Sequence, residues 1–203
     1  SNSSDMAQSG QKLSLGVYIF PDVEVLDFAG PFEVFSVASE IIGKEKLEVF
    51  TIGDSLNSLT TIGNLTVNPA KSIDSVEQLD FLVIPGGDGS KRVIENQDSL
   101  NQLNRLIHSS RWTMTVCSGA RIPAKLGLLN QQQFCTHHEV YDDILKLSPT
   151  SIPIRKSRFI QSGDSLFTAA GISAGIDLAL HLVSQTFGNE VFQKTKNYME
   201  YEK

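Results

Sequence analysis

Few features of the sequence point to a membrane, a nucleic acid or the cell exterior. It has no apolar run of about 18 residues, so we expect no transmembrane helix and no membrane partner. Lys and Arg total 17 against 23 Asp and Glu, and the net charge of −6 argues against nucleic-acid binding. The cysteines, Cys117 and Cys135, are too few for a disulfide framework, which favours a cytoplasmic location.

The chain length and the polar start predict one domain. The 203 residues suffice for one sizeable core, and 40% of them are hydrophobic, as in ordinary soluble proteins. Residues 1–12 lack the apolar segment of a secretory signal, so we interpret them as a disordered leader or a cloning remnant. Residues 13–203 would then form the single domain, since no linker or repeat divides them.

Short apolar runs alternate with helical patterns along this domain. Strands are expected at 13–20, 47–52, 81–84 and 113–116, with hairpins over 60–67 and 158–169. Helices are expected from Pro31 to 38 and over 93–108, 120–126, 140–147, 171–187 and 189–199. This alternation predicts an α/β fold, with a mostly parallel sheet and helices on both faces.

Cys117 directly follows the strand expected at 113–116, and small residues follow it at 118–120. Such a sequence lets the chain turn sharply and expose a side chain at the top of the sheet, where ligands of α/β proteins bind. The following helix would present N–H groups that lower the pKa of the thiol and favour a thiolate nucleophile. The alternative is a buried cysteine that serves as a small hydrophobe, and this segment alone does not decide between them.

Two other segments favour the catalytic interpretation. Gly86 and Gly87, which follow the strand at 81–84, could present backbone N–H groups to a developing negative charge, although an ordinary turn explains them equally well. Asp27 stands among apolar residues near Pro31, either as a helix cap or as a functional carboxylate. A carboxylate repels a neighbouring thiolate, so we expect one of the two groups to hold a proton and the pKa of Asp27 to be raised.

Together these segments resemble the ThiJ/PfpI superfamily, whose members share the flavodoxin-like three-layer sandwich of class I glutamine amidotransferase domains. The resemblance covers residues 14–201. It is strongest to the isonitrile hydratase branch and to the amidotransferase-like domains in front of AraC-type DNA-binding regions. It rests on the order and spacing of short motifs: FPD at 20–22, LDFAGP at 26–31, PGG at 85–87, VCSGA at 116–120, LGLL at 126–129, THH at 136–138 and TAAGISAGID at 168–177.

The resemblance implies a role for each residue of the expected site. Cys117 would be the nucleophile and Asp27 its acid/base partner, while Gly86, Gly87 and Ser118 would orient the polar atoms of a small-molecule substrate. The branch usually has threonine after the nucleophile, so Ser118 keeps the hydroxyl group and loses a methyl group. The protease-like branch has histidine there, and Ser118 argues against it. The resemblance implies a homodimer, and it implies neither a metal nor a cofactor.

His137 and His138 replace the usual histidine–tryptophan pair of this branch, so the wall of the pocket is altered. In glutamine amidotransferases a histidine and an acid complete the triad, and His137 could act with Glu139 in that way. Alternatively, His137 lies near the pocket without acting as a base, because Asp27 already supplies one. For the remaining candidates, we interpret Cys135 as structural, Asp177 as a supporting helix residue and Asp142–Asp143 as a solvated helix face.

Three functions remain open from the sequence. The leading hypothesis is a hydro-lyase that adds water to an isonitrile to give an N-formamide, through a Cys117 thioimidate with Asp27 as acid/base. The second is a ligand-sensing domain of an AraC-type regulator. Such regulators carry a helix-turn-helix region after this domain. The given sequence ends at Lys203, so this hypothesis weakens if the chain is full length and revives if it is a fragment. The third is a stress or redox protein whose cysteine is oxidised to a sulfinate.

Overall fold

A seven-stranded sheet runs through the middle of the protein, of which the computed structural model describes residues 10–201. In chain order all strands of the described residues are β1 (Leu13–Tyr18), β2 (Leu47–Gly53), β3 (Leu59–Thr60), β4 (Thr66–Val67), β5 (Lys71–Ser72), β6 (Phe81–Ile84), β7 (Trp112–Val116), β8 (Gln133–Phe134), β9 (Ile152–Pro153), β10 (Phe159–Gln161) and β11 (Leu166–Ala169). Two pairs of these, β3–β4 and β8–β9, form small sheets of their own. The helices are α1 (Val25–Ile42), α2 (Ser90–Val93), α3 (Gln97–Ser109), α4 (Arg121–Lys125), α5 (Tyr141–Leu147), α6 (Ala174–Phe187) and α7 (Asn189–Tyr198).

The strand order in this sheet is β10-β11-β7-β6-β1-β2-β5, and every neighbouring pair is parallel except β10 with β11. Strands β6 and β7 are buried along their whole length, as is typical of parallel strands that are covered on both faces. Helices α1, α6 and α7 pack against one another, while α4 packs on α5 in a separate group. The predicted flavodoxin-like α/β sandwich is therefore confirmed.

Helix α1 begins earlier than the sequence predicts, and this places Asp27 on the helix. The expected start at Pro31 is wrong, because the helix begins at Val25 and keeps Pro31 inside. Pro31 has no N–H to donate to the carbonyl group of Asp27, so the helix loses one internal hydrogen bond there. The helix tolerates this loss because it packs closely on α6. A Cβ on Gly30 would lie 2.8 Å from Ile176 Cγ1.

Most other elements agree with the expected ones. The two hairpins form as β3–β4 and β10–β11, and the last two expected helices form as α6 and α7. The helix expected over 120–126 is shorter, because Cys117–Ala120 forms a 3-10 turn before α4. Of the expected leader, residues 1–9 lie outside the described residues, and residues 10–12 are exposed. Within residues 10–201, no helix has the length and apolar character that a membrane crossing requires.

The carboxyl ends of the central parallel strands lie at one edge of the sheet. There β6 leads into Gly86 and Gly87, β7 leads into Cys117, and β11 leads into Ala170. Helix α1 starts after β1 at the same edge, where the N–H of Glu24 donates to the carbonyl of Gly86 at 2.9 Å. In open α/β sheets this edge is where ligands bind, so the fold brings the expected site residues to the expected place.

Candidate active site

Cys117 occupies a tight turn between β7 and α4. Its φ is 59°, in the left-handed region that costs energy for any residue other than glycine. Two hydrogen bonds hold the backbone of Cys117. Its N–H donates to the carbonyl of Ala170 at 2.9 Å, and its carbonyl accepts from Thr136 Oγ1 at 2.7 Å. The residue is 6% exposed, so the protein covers most of its surface.

Two glycines allow the loops after β6 and β7 to touch backbone to backbone. A Cβ on Gly86 would lie 2.5 Å from the backbone nitrogen of Ser118, and a Cβ on Gly119 would lie 2.4 Å from the carbonyl oxygen of Ile84. Both distances are too short for a real Cβ, so only glycine fits at either position. The backbones of the two loops are therefore in direct contact, which places Cys117 beside the 86–87 turn.

Asp27 lies at this turn, on the first turn of α1, and it is completely buried. Its Oδ2 accepts a hydrogen bond from the backbone N–H of Gly86 at 3.0 Å. Its Oδ1 is also buried, and no hydrogen bond of standard geometry reaches it from the described residues. Burial raises the pKa of Asp27 to about 7, although the hydrogen bond from Gly86 acts in the opposite direction. The upward direction agrees with the expectation, but its main cause is burial and not repulsion by a thiolate, and this pKa suits proton transfer near neutral pH.

The thiol of Cys117 does not have the low pKa that the sequence predicts. Burial, and after it the negative charge of Asp27, raise the pKa of Cys117 to about 12. The N–H of Ser118 lowers this pKa but is outweighed. No strong helix dipole compensates, because the chain after Cys117 forms only a 3-10 turn and the short α4. The resting cysteine is therefore a thiol, and oxidation to a sulfinate, which begins from the thiolate, is disfavoured.

Asp27 and Cys117 titrate as a pair because they interact through both charge and hydrogen bonding. The pair loses one proton near pH 7 and the second near pH 12. Between these values it holds a single proton, which rests on the sulfur and can pass to the carboxylate. A thiol beside its own buried base is an arrangement that can generate a nucleophile at the moment of reaction.

The N–H groups of Gly86 and Gly87 are already occupied within the protein. Gly86 donates to Asp27, and Gly87 donates to Ser118 Oγ at 2.8 Å. In this state the two glycines position the carboxyl and hydroxyl groups, and neither N–H is open to a substrate. Among the described residues, the N–H of Ser118 interacts with the sulfur of Cys117, and the hydroxyl group of Ser118 donates only at 3.3 Å, to the carbonyl of Gly87.

His137 and His138 lie at the border of this site. The half-buried His137 follows Thr136, which holds the carbonyl of Cys117, and its Cδ2 would lie 3.5 Å from a Cβ on Gly171. The ring of His138 is exposed and lies 4.3 Å from the ring of His137. Both residues are thus near the loops after β7 and β11, and neither forms a hydrogen bond to Asp27 among the described residues.

The spacing of His137, His138 and Glu139 resembles a metal site, since their ligand atoms lie within 4.8 Å of one another. The hydrogen bonding argues otherwise. Nδ1 of His137 accepts the backbone N–H of Glu139 at 3.1 Å. A neutral ring in this arrangement carries its proton on Nε2 and has no lone pair left for a metal ion. The triplet therefore fits a hydrogen-bonded turn better than a metal centre.

Sequence reasoning missed Glu24, Ser90 and Arg121. Glu24 is half-buried one helical turn before Asp27, and its charge raises the pKa of both Asp27 and Cys117. Ser90 and Arg121 are buried behind the 86–87 turn. The available signals were the acid three positions before Asp27 and the charged residue Arg121 directly after the small residues at 118–120.

The structure also gives the surroundings of the remaining candidates, Cys135, Asp177 and residues 142–143. Cys135 is buried, its sulfur contacts backbone carbonyl groups, and burial raises its pKa to about 11, as suits a structural residue. Asp177 is a buried residue of α6, as expected for a supporting role. Asp142 is exposed, as the interpretation of 142–143 as a solvated helix face predicts, but Asp143, whose side chain is 46% exposed, also binds the buried Arg121 at 2.6 Å, which that interpretation did not include.

Comparison with known proteins gives one family match. A model of the DJ-1/PfpI family matches residues 14–185. Isonitrile hydratase of Pseudomonas putida is 31% identical over 191 residues, which cover 93% of this chain and 78% of that protein. The HTH-type transcriptional regulator GbdR of Pseudomonas aeruginosa is 21% identical over 196 residues, 97% of this chain and 53% of the regulator. The chain thus spans about half the length of that regulator.

Solved structures share the fold. A ThiJ/PfpI family protein from Pseudomonas syringae superposes with a TM-score of 0.85 and 22% identity, over 95% of this chain and 76% of that one. DJ-1beta of Drosophila melanogaster gives 0.82 and 17%, over 95% and 100%. An AraC family transcriptional regulator from Pseudomonas putida gives 0.76 and 16%, over 92% and 99%. These identities are low, so the likeness concerns the fold alone.

Proposed function

The chain belongs to the DJ-1/PfpI family, and on that premise we propose that it is a cysteine-dependent hydro-lyase that adds water to an isonitrile and releases an N-formamide. The observation that carries the proposal is the coupled pair of Asp27 and Cys117, in which a buried acid with a pKa of about 7 interacts with a buried thiol. The 31% identity to an isonitrile hydratase supports this choice of reaction.

In the first step the sulfur of Cys117 attacks the terminal carbon of the isonitrile, and a C–S bond forms. Asp27 accepts the thiol proton during the attack and delivers it to the same carbon, which gives a thioimidate. The step needs no outside acid, because the pair already holds the one proton that the carbon receives. Asp27 ends the step as a carboxylate, ready to act again.

In the second step a water molecule attacks the thioimidate carbon. Asp27 accepts one proton of this water and passes it to the substrate nitrogen, which gives a tetrahedral intermediate. The C–S bond then breaks, the hydroxyl group becomes the formyl oxygen, and its proton returns to the sulfur of Cys117. One water is consumed, and the original thiol proton stays on the formyl carbon.

Ser118 is the donor that supports these charge changes in our proposal. Its N–H already interacts with the sulfur of Cys117, and its hydroxyl proton makes only a contact of 3.3 Å and can turn toward a substrate atom. Gly86 and Gly87 act through the groups that they hold, Asp27 and Ser118. Loss of one well-placed donor costs about 10²-fold in turnover, and we expect that loss for Ser118→Ala.

The burial of Cys117 favours an isonitrile over bulkier electrophiles in our proposal. Cys117 is 6% exposed, so the reactive atom of a substrate must extend into a recess. An isonitrile carries its electrophilic carbon at the tip of a linear group, whereas a carbonyl carbon is flanked by substituents on both sides. The linear group reaches such a sulfur without displacing the loops after β6 and β7.

A turnover assay tests the proposal. Reduced protein is incubated with aliphatic and aromatic isonitriles in ¹⁸O-labelled water, and the products are measured by mass spectrometry. We expect labelled N-formamide from the wild type and from the control Cys135→Ser, and no product from Cys117→Ser or Asp27→Asn. The proposal fails if the reduced wild type consumes none of the isonitriles.

A ligand-sensing role is the second candidate, and the match of GbdR across 97% of this chain favours it. A sensor would bind its ligand in the same recess and release it unchanged. In a sensor the coupled Asp27–Cys117 pair would have no chemical function, and its buried acid would only lower the stability of the fold. We therefore favour the enzymatic function. Ligand-induced thermal stabilisation without any product would reverse this choice. We also propose a cytoplasmic homodimer, and light scattering on the purified protein tests the dimer.

A further inference from the structure

Arg121 is a buried cation that the proposed reaction does not use. Its side chain is 6% exposed, while that of Asp143, to which it donates at 2.6 Å, is 46% exposed. A buried charge is costly unless it is well paired, and a half-exposed carboxylate compensates only part of that cost. The ion pair with Asp143 alone therefore does not explain why Arg121 is buried. Its other hydrogen bond, to Ser90, indicates a second role.

Ser90 connects the guanidinium group to Gly87 and to Ser118, the residue that follows the nucleophile. Nη1 of Arg121 donates to Ser90 Oγ at 2.9 Å, and Ser90 Oγ donates to the carbonyl of Gly87 at 2.7 Å. Ser90 Oγ also lies 3.4 Å from Ser118 Oγ, which accepts the N–H of Gly87 at 2.8 Å. Arg121, Ser90, Gly87 and Ser118 thus form one buried chain of hydrogen bonds.

The direction of this chain follows from counting protons. Each serine hydroxyl group has one proton. Because Arg121 donates to Ser90 Oγ, the hydroxyl proton of Ser90 points away from the cation and is held by the carbonyl of Gly87. Ser118 then accepts from the N–H of Gly87, and its own proton has only the long contact of 3.3 Å with the carbonyl of Gly87. That proton is free to turn toward the substrate.

We propose that Arg121 is a positioning residue that acts through Ser90 to fix the Gly87 peptide and to keep the Ser118 hydroxyl proton available for the reacting intermediate. The proposal rests on the proposed function for its chemistry. Without the guanidinium group, Ser90 can turn its proton to Ser118 Oγ, and Ser118 then donates to the carbonyl of Gly87. The catalytic donor would be turned away from the substrate.

This role differs from activation of the nucleophile. Burial and groups other than Arg121 are the main causes of the pKa shifts of Cys117 and Asp27. Removal of its charge should therefore leave the pH dependence of thiol alkylation and of turnover unchanged. A general structural role would instead alter stability without a specific effect on turnover.

The test compares Arg121→Met, Arg121→Lys and Ser90→Ala with Arg105→Met. Arg105 is the matched control because its guanidinium group also donates to neighbouring groups, the carbonyls of Ile73 and Val76, far along the chain from the site. We expect kcat to fall at least about tenfold for Arg121→Met and Ser90→Ala, with KM changed less than about threefold, since a transition-state donor is misdirected. Arg121→Lys should restore part of kcat, and Arg105→Met should lower stability alone.

A double-mutant cycle makes the test specific. In a Ser118→Ala background, Arg121→Met should cause no further loss of kcat, because the donor that it orients is absent. Amide hydrogen exchange of the peptide that contains Gly87 should accelerate in Arg121→Met and Ser90→Ala and stay unchanged in Arg105→Met. Wild-type kcat in Arg121→Met, or full additivity with Ser118→Ala, would overturn the proposal.

The exchange measurement also separates this proposal from the proposed function. If the wild type hydrates no isonitrile, the function is wrong, and faster exchange at Gly87 in both variants still supports the positioning role. If exchange at Gly87 is unchanged in both variants, the positioning role is overturned whatever the substrate. Ser90→Ala removes a single oxygen atom, so it keeps the test decisive if Arg121→Met fails to fold.

Discussion

The backbone N–H of Gly86 donates to Oδ2 of Asp27 at 3.0 Å, while Oδ1 of the same carboxyl group is buried without a hydrogen bond of standard geometry. An ionised carboxylate is best stabilised by donors on both oxygens, and here, besides the interaction with the Cys117 thiol, only Oδ2 accepts a hydrogen bond of standard geometry from the described residues. A proton on the carboxyl group removes this deficit. The same feature that makes Asp27 a usable base at neutral pH therefore also makes the ionised form costly to the fold.

The first prediction concerns stability against pH. The folded chain holds the Asp27 proton more tightly than the unfolded chain, because the pKa is raised from 3.8 to about 7. The tighter binding of this proton stabilises the folded chain in full below pH 3.8, and the stabilisation is lost as the pH rises through about 7. The loss amounts to roughly 4 kcal/mol in the free energy of unfolding. Urea denaturation at several pH values, with Asp27→Asn beside the wild type, measures it.

The Asp27→Asn variant should lack this slope and should exceed the wild type in stability above about pH 8, since a neutral amide replaces the buried charge. The variant stays isosteric and can still accept from Gly86, so packing is little changed. A difference between the two proteins that stays constant with pH would contradict the raised pKa of Asp27.

The second prediction concerns the pH dependence of turnover. The active form is the pair with a single proton, which exists between about pH 7 and about pH 12. We expect kcat/KM to rise about tenfold per pH unit below the lower value and to be level above it, because only an ionised Asp27 can accept the thiol proton. Initial rates with one isonitrile across this range measure the profile. A rising limb that persists unchanged in Asp27→Asn would assign it to another group.

The third prediction concerns the strained turn at Cys117, whose φ is 59°. Glycine adopts this conformation without the Cβ clash that costs other residues about 1–2 kcal/mol. Cys117→Gly should therefore be more stable than Cys117→Ala by about 0.5–1 kcal/mol, after the greater chain entropy of glycine is counted. The helical residue Ala124 provides the control, because Ala124→Gly should destabilise by about 1 kcal/mol. Denaturant midpoints compare all of these variants, and equal stability at position 117 would contradict a strained turn.

The fourth prediction concerns the contact between the loops after β6 and β7. In Gly119→Ala the new Cβ would lie 2.4 Å from the carbonyl oxygen of Ile84, so the β6 and β7 loops must separate. We expect a loss of stability of several kcal/mol and a loss of turnover, as for an overpacked core site. Gly163→Ala is the control, since the nearest atom to its Cβ would lie 3.9 Å away. Thermal unfolding and the isonitrile assay measure both effects, and a stable, active Gly119→Ala would show that the loops can move apart.

The sequence predicts the sheet and the position of the candidate site residues at strand ends, because both depend on short local signals. The apolar run of β6, the glycines at 86–87 and the small residues after Cys117 identify strand ends and tight turns, and parallel strands bring those ends together. The electrostatic state of the site was not predictable in the same way. The pKa of Cys117 depends on how much protein covers the thiol and on the charges of Asp27 and Glu24, which arrive from a distant segment.

Long-range contacts also explain two other differences from the sequence-based expectations. The start of α1 depends on packing against α6, which outweighs the local signal of Pro31. Asp143 looks solvated on its own helix, and only the fold shows that α4 brings the buried Arg121 to it. The occupied N–H groups of Gly86 and Gly87 are a third such case, since their partners, Asp27 and Ser118, come from other elements.

The last prediction concerns His137, which borders the site without a hydrogen bond to Asp27 among the described residues. Its Nδ1 accepts from the N–H of Glu139 at 3.1 Å, so the ring carries its proton on Nε2 and can donate to a bound substrate but does not serve as the base. His137→Gln keeps a donor of similar reach, and His137→Phe removes it. We expect His137→Gln to retain most of kcat/KM, and His137→Phe to lower it by less than about tenfold through KM, because a ground-state contact is lost. Both variants should keep the wild-type pH profile, since Asp27 governs it. A loss above about 10²-fold in both variants, together with disappearance of the limb near pH 7, would make His137 the base of this site and Asp27 its support.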